Sequence, residues 1–159
     1  MIFVAVGTQK FPFDRLLKKI DKLIMTNIIK EEVYAQIGHS MYKPKRYQYS
    51  NFLSKEEFEL NINKCDILVT HSGVATIIDG LKHNKPVIVV PRLAKYGEHV
   101  DDHQIEIANS FSSQNYVIYA DENMDLGYAI SKARRHKFNQ YISQHDAAIN
   151  TIKSFIDSI

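Results

Sequence analysis

Six consecutive residues, His71-Ser72-Gly73-Val74-Ala75-Thr76, carry the densest chemistry of this chain. They follow an apolar, β-branched run, Asp66-Ile67-Leu68-Val69-Thr70, and open a helical pattern over residues 74–83. A strand-to-helix loop of this kind turns backbone N–H groups outward at the positive end of a helix dipole, a ready site for an anion. Gly73 lets a phosphate come close to the backbone. Ser72 and Thr76 can add hydroxyl donors, and His71 can donate from a ring nitrogen. The same residues also fit a plainer role, with Ser72 as an N-cap and Gly73 as a turn residue. The two readings are compatible.

Other loops follow strands in the same manner: Gly7-Thr8-Gln9, Gly38-His39-Ser40 and Pro91-Arg92. They are small and polar, as a ligand crevice requires. Neither G-x-G-x-x-G nor G-x-x-x-x-G-K-[ST] occurs, which excludes a dinucleotide fingerprint and a Walker A loop. Val6-Gly7-Thr8 lacks the acidic pair of a response regulator. Glu98-His99-Val100-Asp101-Asp102-His103 holds two imidazoles four residues apart with carboxylates beside them, a spacing open to metal binding. It falls at a loop-to-helix junction, where Asp101 and Asp102 suit a first turn, so no metal site and no cofactor is expected. Cys65 is the single cysteine; it excludes an internal disulfide or a cysteine-based zinc site and reads as a small core residue.

Periodicity indicates the elements that must position these loops. Ile2-Phe3-Val4-Ala5-Val6 is a continuous apolar run, the mark of a strand buried on both faces. Phe13, Leu16, Leu17, Ile20, Leu23 and Ile24 recur at helical spacing with lysines between them, and Pro12 suits the first turn of that helix. Residues 32–37 predict a second strand and 47–49 a short third. Ser54 with Glu57 forms a capping box that opens a helix over 54–64. Strands at 66–70 and 86–90 flank the helix at 74–83. A loop over 91–100 leads to a helix near 101–111, a strand at 115–119, and helices over 124–136 and 139–158. Strands alternating with helices predict a doubly wound, Rossmann-like parallel α/β fold. Residues 1–159 read as a single domain, with 139–159 a carboxyl-terminal helix. Ligands bind such sheets beyond the carboxyl ends of the strands.

Composition bounds the function. The 159 residues are 45% hydrophobic and 24% charged, with 20 Lys and Arg against 18 Asp and Glu. This is a globular balance, and a net charge of +2 argues against a nucleic-acid partner. No run reaches the roughly 18 apolar residues of a membrane span, and the first residues lack the features of a secretory signal, so a cytoplasmic protein is expected. Ile142, Ile149, Ile152, Ile156 and Ile159 fall near one helical face. That stripe either packs on the chain's own sheet or docks a partner. The basic run from Lys132 to Lys137 reads as a solvated face or a weak attraction to anionic lipid.

Taken together, HSGVATIIDGLKHNKPVIVVP from His71 to Pro91 and DDHQIEIA from Asp101 to Ala108 resemble the carboxyl-terminal domain of glycosyltransferase family 28. VAVGTQKFPFDRLL, Gln36 to Ser40 and CDILVTHSG agree with it. The resemblance implies the nucleotide-binding half of a GT-B glycosyltransferase, acting as the soluble catalytic subunit of a two-component enzyme. Its donor would be a UDP-sugar and its acceptor a lipid-linked saccharide on polyprenyl diphosphate, with inversion. A membrane-anchored partner subunit would recruit it to the cytoplasmic face of a membrane. Both the dolichol-linked N-acetylglucosaminyltransferase type and the bacterial capsule and exopolysaccharide type of polysaccharide biosynthesis fit. By the same resemblance, Gly7 and Thr8 lie near the phosphates, and His71, Ser72, Gly73 and Thr76 form the diphosphate loop. Asp79 stands at the position of a ribose-binding glutamate, one methylene shorter. His103 and Gln104 grip the sugar, and Gln36 flanks the uracil. His39 and His99 are the general bases available here, unless the partner supplies that group. A non-catalytic nucleotide-sugar-binding regulatory module is the alternative.

Overall fold

The computed structural model describes residues 1–158. In chain order it runs β1 (Ile2–Ala5), α1 (Asp14–Met25), β2 (Val33–Gln36), β3 (Gln48–Ser50), α2 (Lys55–Lys64), β4 (Ile67–Thr70) and α3 (Val74–Lys82). There follow β5 (Val87–Val89), a 3-10 turn (Ala94–Tyr96), α4 (His103–Ser113), β6 (Ile118–Tyr119), α5 (Leu126–Ala133) and α6 (Gln144–Asp157). The six strands form one parallel sheet in the order β3-β2-β1-β4-β5-β6. The winding reverses between β1 and β4, where Ala5 pairs with Gln36 on one side and Thr70 on the other. This is the doubly wound α/β fold that the strand and helix pattern predicts.

β1, β4 and β5 are buried along their whole length because helices cover both faces of the sheet. On one face Leu16, Leu17 and Ile20 of α1 and Ala129 and Ile130 of α5 pack on Ile2, Val4 and Val69. On the other, Ile62 of α2, Ile77 and Leu81 of α3 and Ala108 of α4 pack on Phe3, Leu68 and Val87. Cys65 lies in this second core. Burial pushes its thiol up to about 11, and Sγ–H donates to the Ile62 carbonyl, so it is a packing residue.

Several connections and boundaries have identifiable local causes, and three of the boundaries differ from the sequence pattern. β2 reaches β3 without a helix, because residues 37–47 are tied to α1: the Tyr47 hydroxyl donates to the Leu17 carbonyl, and the Asp21 carboxylate accepts the Lys45 and Arg46 N–H groups. Pro12 stands before the N-cap Phe13 rather than in the first turn. The helix expected over 124–136 is shortened to Leu126–Ala133, starting where the Asp125 carboxylate accepts the Tyr128 N–H. The helix expected over 139–158 begins at Gln144, because Ser143 takes the N-cap. Asn139 is spent earlier, its N–H on the Asn115 carbonyl and its side-chain amide on the Gln114 carbonyl. α6 contributes no buried residue. The idea that its isoleucine stripe packs on the chain's own sheet is therefore overturned for Ile149, Ile152 and Ile156, all exposed; Ile159 lies outside the described residues. No described helix is long and apolar enough to cross a membrane.

Candidate functional site

At the carboxyl ends of β1, β2 and β4 the loops surround a hollow of about 470 Å3. Gly7, Thr8 and Gln9 form one wall, Gln36 the floor beside β2, and His71, Gly73, Thr76 and Asp79 the wall from β4 into α3. Ser54, Lys55, Phe58 and Glu59 of the α2 start close the remaining side. A larger hollow of about 560 Å3 lies on the outer side of α1, but it gathers none of the strand-end loops except the approach at Pro12. Topology and chemistry select the first: it sits beside the switch point of a parallel sheet, at the start of a helix.

The helix start is built to stay open. α3 begins on Gly73, and no side chain caps it. Ser72 is not the N-cap that one reading of the sequence allows. It is buried, its N–H donates to the Gln104 Oε1 at 3.2 Å, and its hydroxyl has no partner among the described residues. A buried hydroxyl without a partner is uncommon and costly, and a ligand at the helix start would offer it one.

His71 organises the loop. Its Nδ1 lies 3.2 Å from the Thr70 hydroxyl and 3.3 Å from the Ala5 carbonyl, and because that hydroxyl already donates to Ala5, a proton on Nδ1 satisfies both neighbours. Nε2 then keeps its lone pair and is not the phosphate donor that the sequence allows. The ring is clasped between two glycines. A Cβ on Gly73 would stand 2.3 Å from His71 Nε2, and one on Gly7 would stand 2.6 Å from it. Gly7 also has a φ of +82°, which disfavours any side chain. Gly73 has an ordinary backbone, so its need for glycine arises from the imidazole as well as from any phosphate. Burial, reinforced by the Arg92 charge, pushes the His71 pKa down to about 4, so the ring is neutral near pH 7.

Arg92 holds the opposite loop from behind. It is 1% exposed, and its guanidinium donates to the carbonyls of Val6, Phe11, Pro12 and Glu98. The Gly7-Thr8-Gln9 loop is thus hung between β1 and a buried cation. Burial lowers the Arg92 pKa to about 10, partly countered by Glu98, which leaves it charged at neutral pH. Glu98 forms a two-bond pair with Arg15, at 2.9 Å for each bond, and accepts the Leu93 N–H.

The model of the "Glycosyltransferase family 28 C-terminal domain" matches residues 1–159. The chain belongs to this family. Among curated relatives, the "UDP-N-acetylglucosamine transferase subunit ALG13" of Candida albicans is 27% identical over 147 residues, covering 89% of this chain and 44% of the relative. The chain therefore spans less than half the length of that relative. Among solved structures, the NMR structure of ALG13 superposes with a TM-score of 0.59 at 17% identity, over 95% of this chain and 93% of the other. The crystal structure of the glycotransferase of kitacinnamycin gives 0.64 at 17% identity, over 85% of this chain and 35% of that one. At such identity these structures speak for the fold, that of GT-B glycosyltransferases.

Of the residues singled out in the family 28 sequence, Gly7, Thr8, Gln36, His71, Gly73, Thr76 and Asp79 meet around one hollow. Gln36 is also structural, its Oε1 accepting the Leu53 N–H at 3.0 Å. Ser72 is buried behind this lining, and four others stand elsewhere. Gln104 is buried, and its Oε1 bridges the Ser72 and Arg92 N–H groups, tying the β4 loop to the β5 loop. His103 is exposed at the start of α4, its Nδ1 3.1 Å from Glu106. His39 is exposed and packs edge-on against Phe52. His99 is half-buried between Phe11 and Asp101. Sequence reasoning missed the α2 wall of Lys55, Phe58 and Glu59. The Ser54 capping box marked that helix start, but nothing local indicated that it faces Asp79.

Proposed function

We propose that this chain binds a UDP-hexose in the hollow between Gly7, His71 and Asp79 and transfers the sugar, with inversion, to a lipid-linked saccharide. The reading rests on family membership, and the observation that carries it is the uncapped start of α3 at the hollow. The diphosphate would lie against the free N–H groups of residues 74–76 with the Thr76 hydroxyl, while Asp79, one turn on, would accept the ribose hydroxyls. The acceptor hydroxyl attacks the anomeric carbon as its bond to the diphosphate oxygen breaks. UDP leaves with the bonding pair, and the helix amides stabilise the growing negative charge without a divalent metal.

The relatives' names favour N-acetylglucosamine as the sugar; they lend no support to a capsule or exopolysaccharide enzyme. A general base must take the acceptor proton. Because neither His39 nor His99 lines the hollow, a base on a membrane-anchored partner subunit suits the geometry better. The exposed Ile149, Ile152, Phe155 and Ile156 of α6 are the surface offered to that partner, which would bring the chain to the cytoplasmic face of a membrane.

The test is calorimetry with UDP in the presence of a chelator, followed by a transfer assay with and without a co-expressed membrane subunit. Metal-free UDP binding and partner-dependent transfer are expected. UDP binding with no transfer under any pairing would favour the non-catalytic sensing module, and no UDP binding would defeat both readings.

A further inference from the structure

We propose that the outer face of α1, together with residues 41–46, is a docking surface for anionic membrane lipid. The apolar stripe of α1 is buried, which leaves Lys18, Lys19 and Lys22 on its outer side. Residues 41–46 lie along the same helix because two carboxylates pin them there. Asp14 accepts the Met41 and Tyr42 N–H groups, and Asp21 accepts the Tyr42 hydroxyl and the Lys45 and Arg46 N–H groups. A second row of cations, Lys43, Lys45 and Arg46, is thereby laid beside the first. Lys18, Lys22, Lys45 and Arg46 share the rim of one hollow with Met25 and Tyr42.

The anions of this region are already engaged. Asp14 and Asp21 are spent on backbone N–H groups, Glu98 on Arg15, and Glu31 on Arg134. Among the described residues, none of the six cations enters an ion pair. They form a strip along a helix of 12 residues, about 18 Å long. The opposite helical layer leans the other way: α2, α3 and α4 together carry Glu56, Glu57, Glu59, Asp79 and Glu106 against Lys55, Lys64 and Lys82. The net charge of +2 conceals this division.

Two features favour a lipid surface over a nucleic acid. Five of the six cations are lysines, point charges suited to diffuse attraction rather than to forked recognition of single phosphates. Exposed apolar side chains stand at both ends of the strip, Met41 at 78% exposure and Met25 at 56%, ready to enter the headgroup layer. The one aromatic ring in the hollow, Tyr42, packs on the core and carries the Lys18 ammonium 5.6 Å from its centroid.

This surface is on the opposite layer from α2 and α3, so its test is separable from that of the nucleotide site. The full chain is sedimented with phosphatidylcholine vesicles, with and without phosphatidylserine. Binding is expected only with phosphatidylserine, at about 0.1 M salt, and its loss at about 1 M, where the Debye length falls to about 3 Å. Each cation removed should weaken binding about fivefold, so Lys18→Gln/Lys22→Gln/Lys45→Gln should lose about a hundredfold with an unchanged melting temperature. Lys64→Gln/Lys82→Gln on the other layer should bind as the parent does, and Met25→Ser/Met41→Ser should bind more weakly. No binding, equal binding to both vesicles, undiminished binding by the triple variant, or preference for single-stranded RNA over phosphatidylserine vesicles would each overturn the proposal.

Discussion

α2 and α3 begin on opposite walls of the same hollow and are finished in opposite ways. At α2 the sequence closes its own helix end. The Ser54 hydroxyl accepts the Glu57 N–H at 3.1 Å, and the Glu57 carboxylate accepts the Ser54 N–H at 2.8 Å. At α3 a glycine stands where a cap would be, and among the described residues no side chain accepts its first-turn N–H groups. A closed end contributes stability. An open end forgoes roughly 1 kcal/mol and keeps donors free for an anion. The difference separates a helix start closed by its own side chains from one whose donors stay free, although both line one pocket.

The strongest way to break this contrast is Gly73→Val. Its Cβ would stand within 2.3 Å of the His71 ring, which must move, and the branched side chain would cover the open helix end. UDP affinity should fall by about a hundredfold or more, with a stability loss of about 1–3 kcal/mol from overpacking. Calorimetry and a urea melt measure the two effects separately. Undiminished affinity would mean that the anion does not lie at α3.

Acid should act on the same wall through His71. The unfolded chain binds a proton below about pH 6.5, whereas the buried ring refuses it until about pH 4. The unfolded state therefore holds more protons in this window, and stability falls as pH drops through it. His71 alone should cost about 2 kcal/mol between about pH 7 and pH 5. Urea unfolding at the two values checks this, and His71→Asn should flatten the dependence.

A smaller effect tests the far end of the wall. Asp79→Ala should weaken UDP about tenfold and leave a 2′,3′-dideoxy analogue unaffected, since only UDP has hydroxyls for the carboxylate. Equal losses would separate Asp79 from the ribose. Smallest of all, Ser54→Ala should destabilise the chain by about 1 kcal/mol while UDP affinity stays within about twofold. A large affinity loss there would show that the closed end also serves the ligand.

The parts legible in the sequence are those governed by neighbours along the chain. The apolar run at Ile2–Ala5, the alternation of strands with helices, and Ser54 paired with Glu57 depend on periods of a few residues and predict the observed elements directly. The glycine- and hydroxyl-bearing loops also follow from local pattern, because a parallel sheet brings its carboxyl ends to one edge whatever the details. Hence Gly7, Gln36, His71, Gly73 and Asp79 are gathered as a reader of the strand ends would expect.

Other features arise only when residues distant in the chain meet. That Gly73 accommodates an imidazole depends on β1 lying beside β4, which turns His71 Nδ1 toward Ala5 and its ring into the space between two glycines. Gln104 resembles a polar grip on a ligand, yet α4 packs so that its oxygen meets two backbone N–H groups inside the protein. Asp14 and Asp21 of α1 accept backbone N–H groups of residues 41–46, and that crossing is why β2 reaches β3 without a helix. The α6 stripe is written in the sequence, but that it stays uncovered follows from where the whole helix stands against the sheet. The physical reason is shared: periodicity records which face of an element is apolar, whereas contacts between elements distant in the chain are decided by how those elements pack.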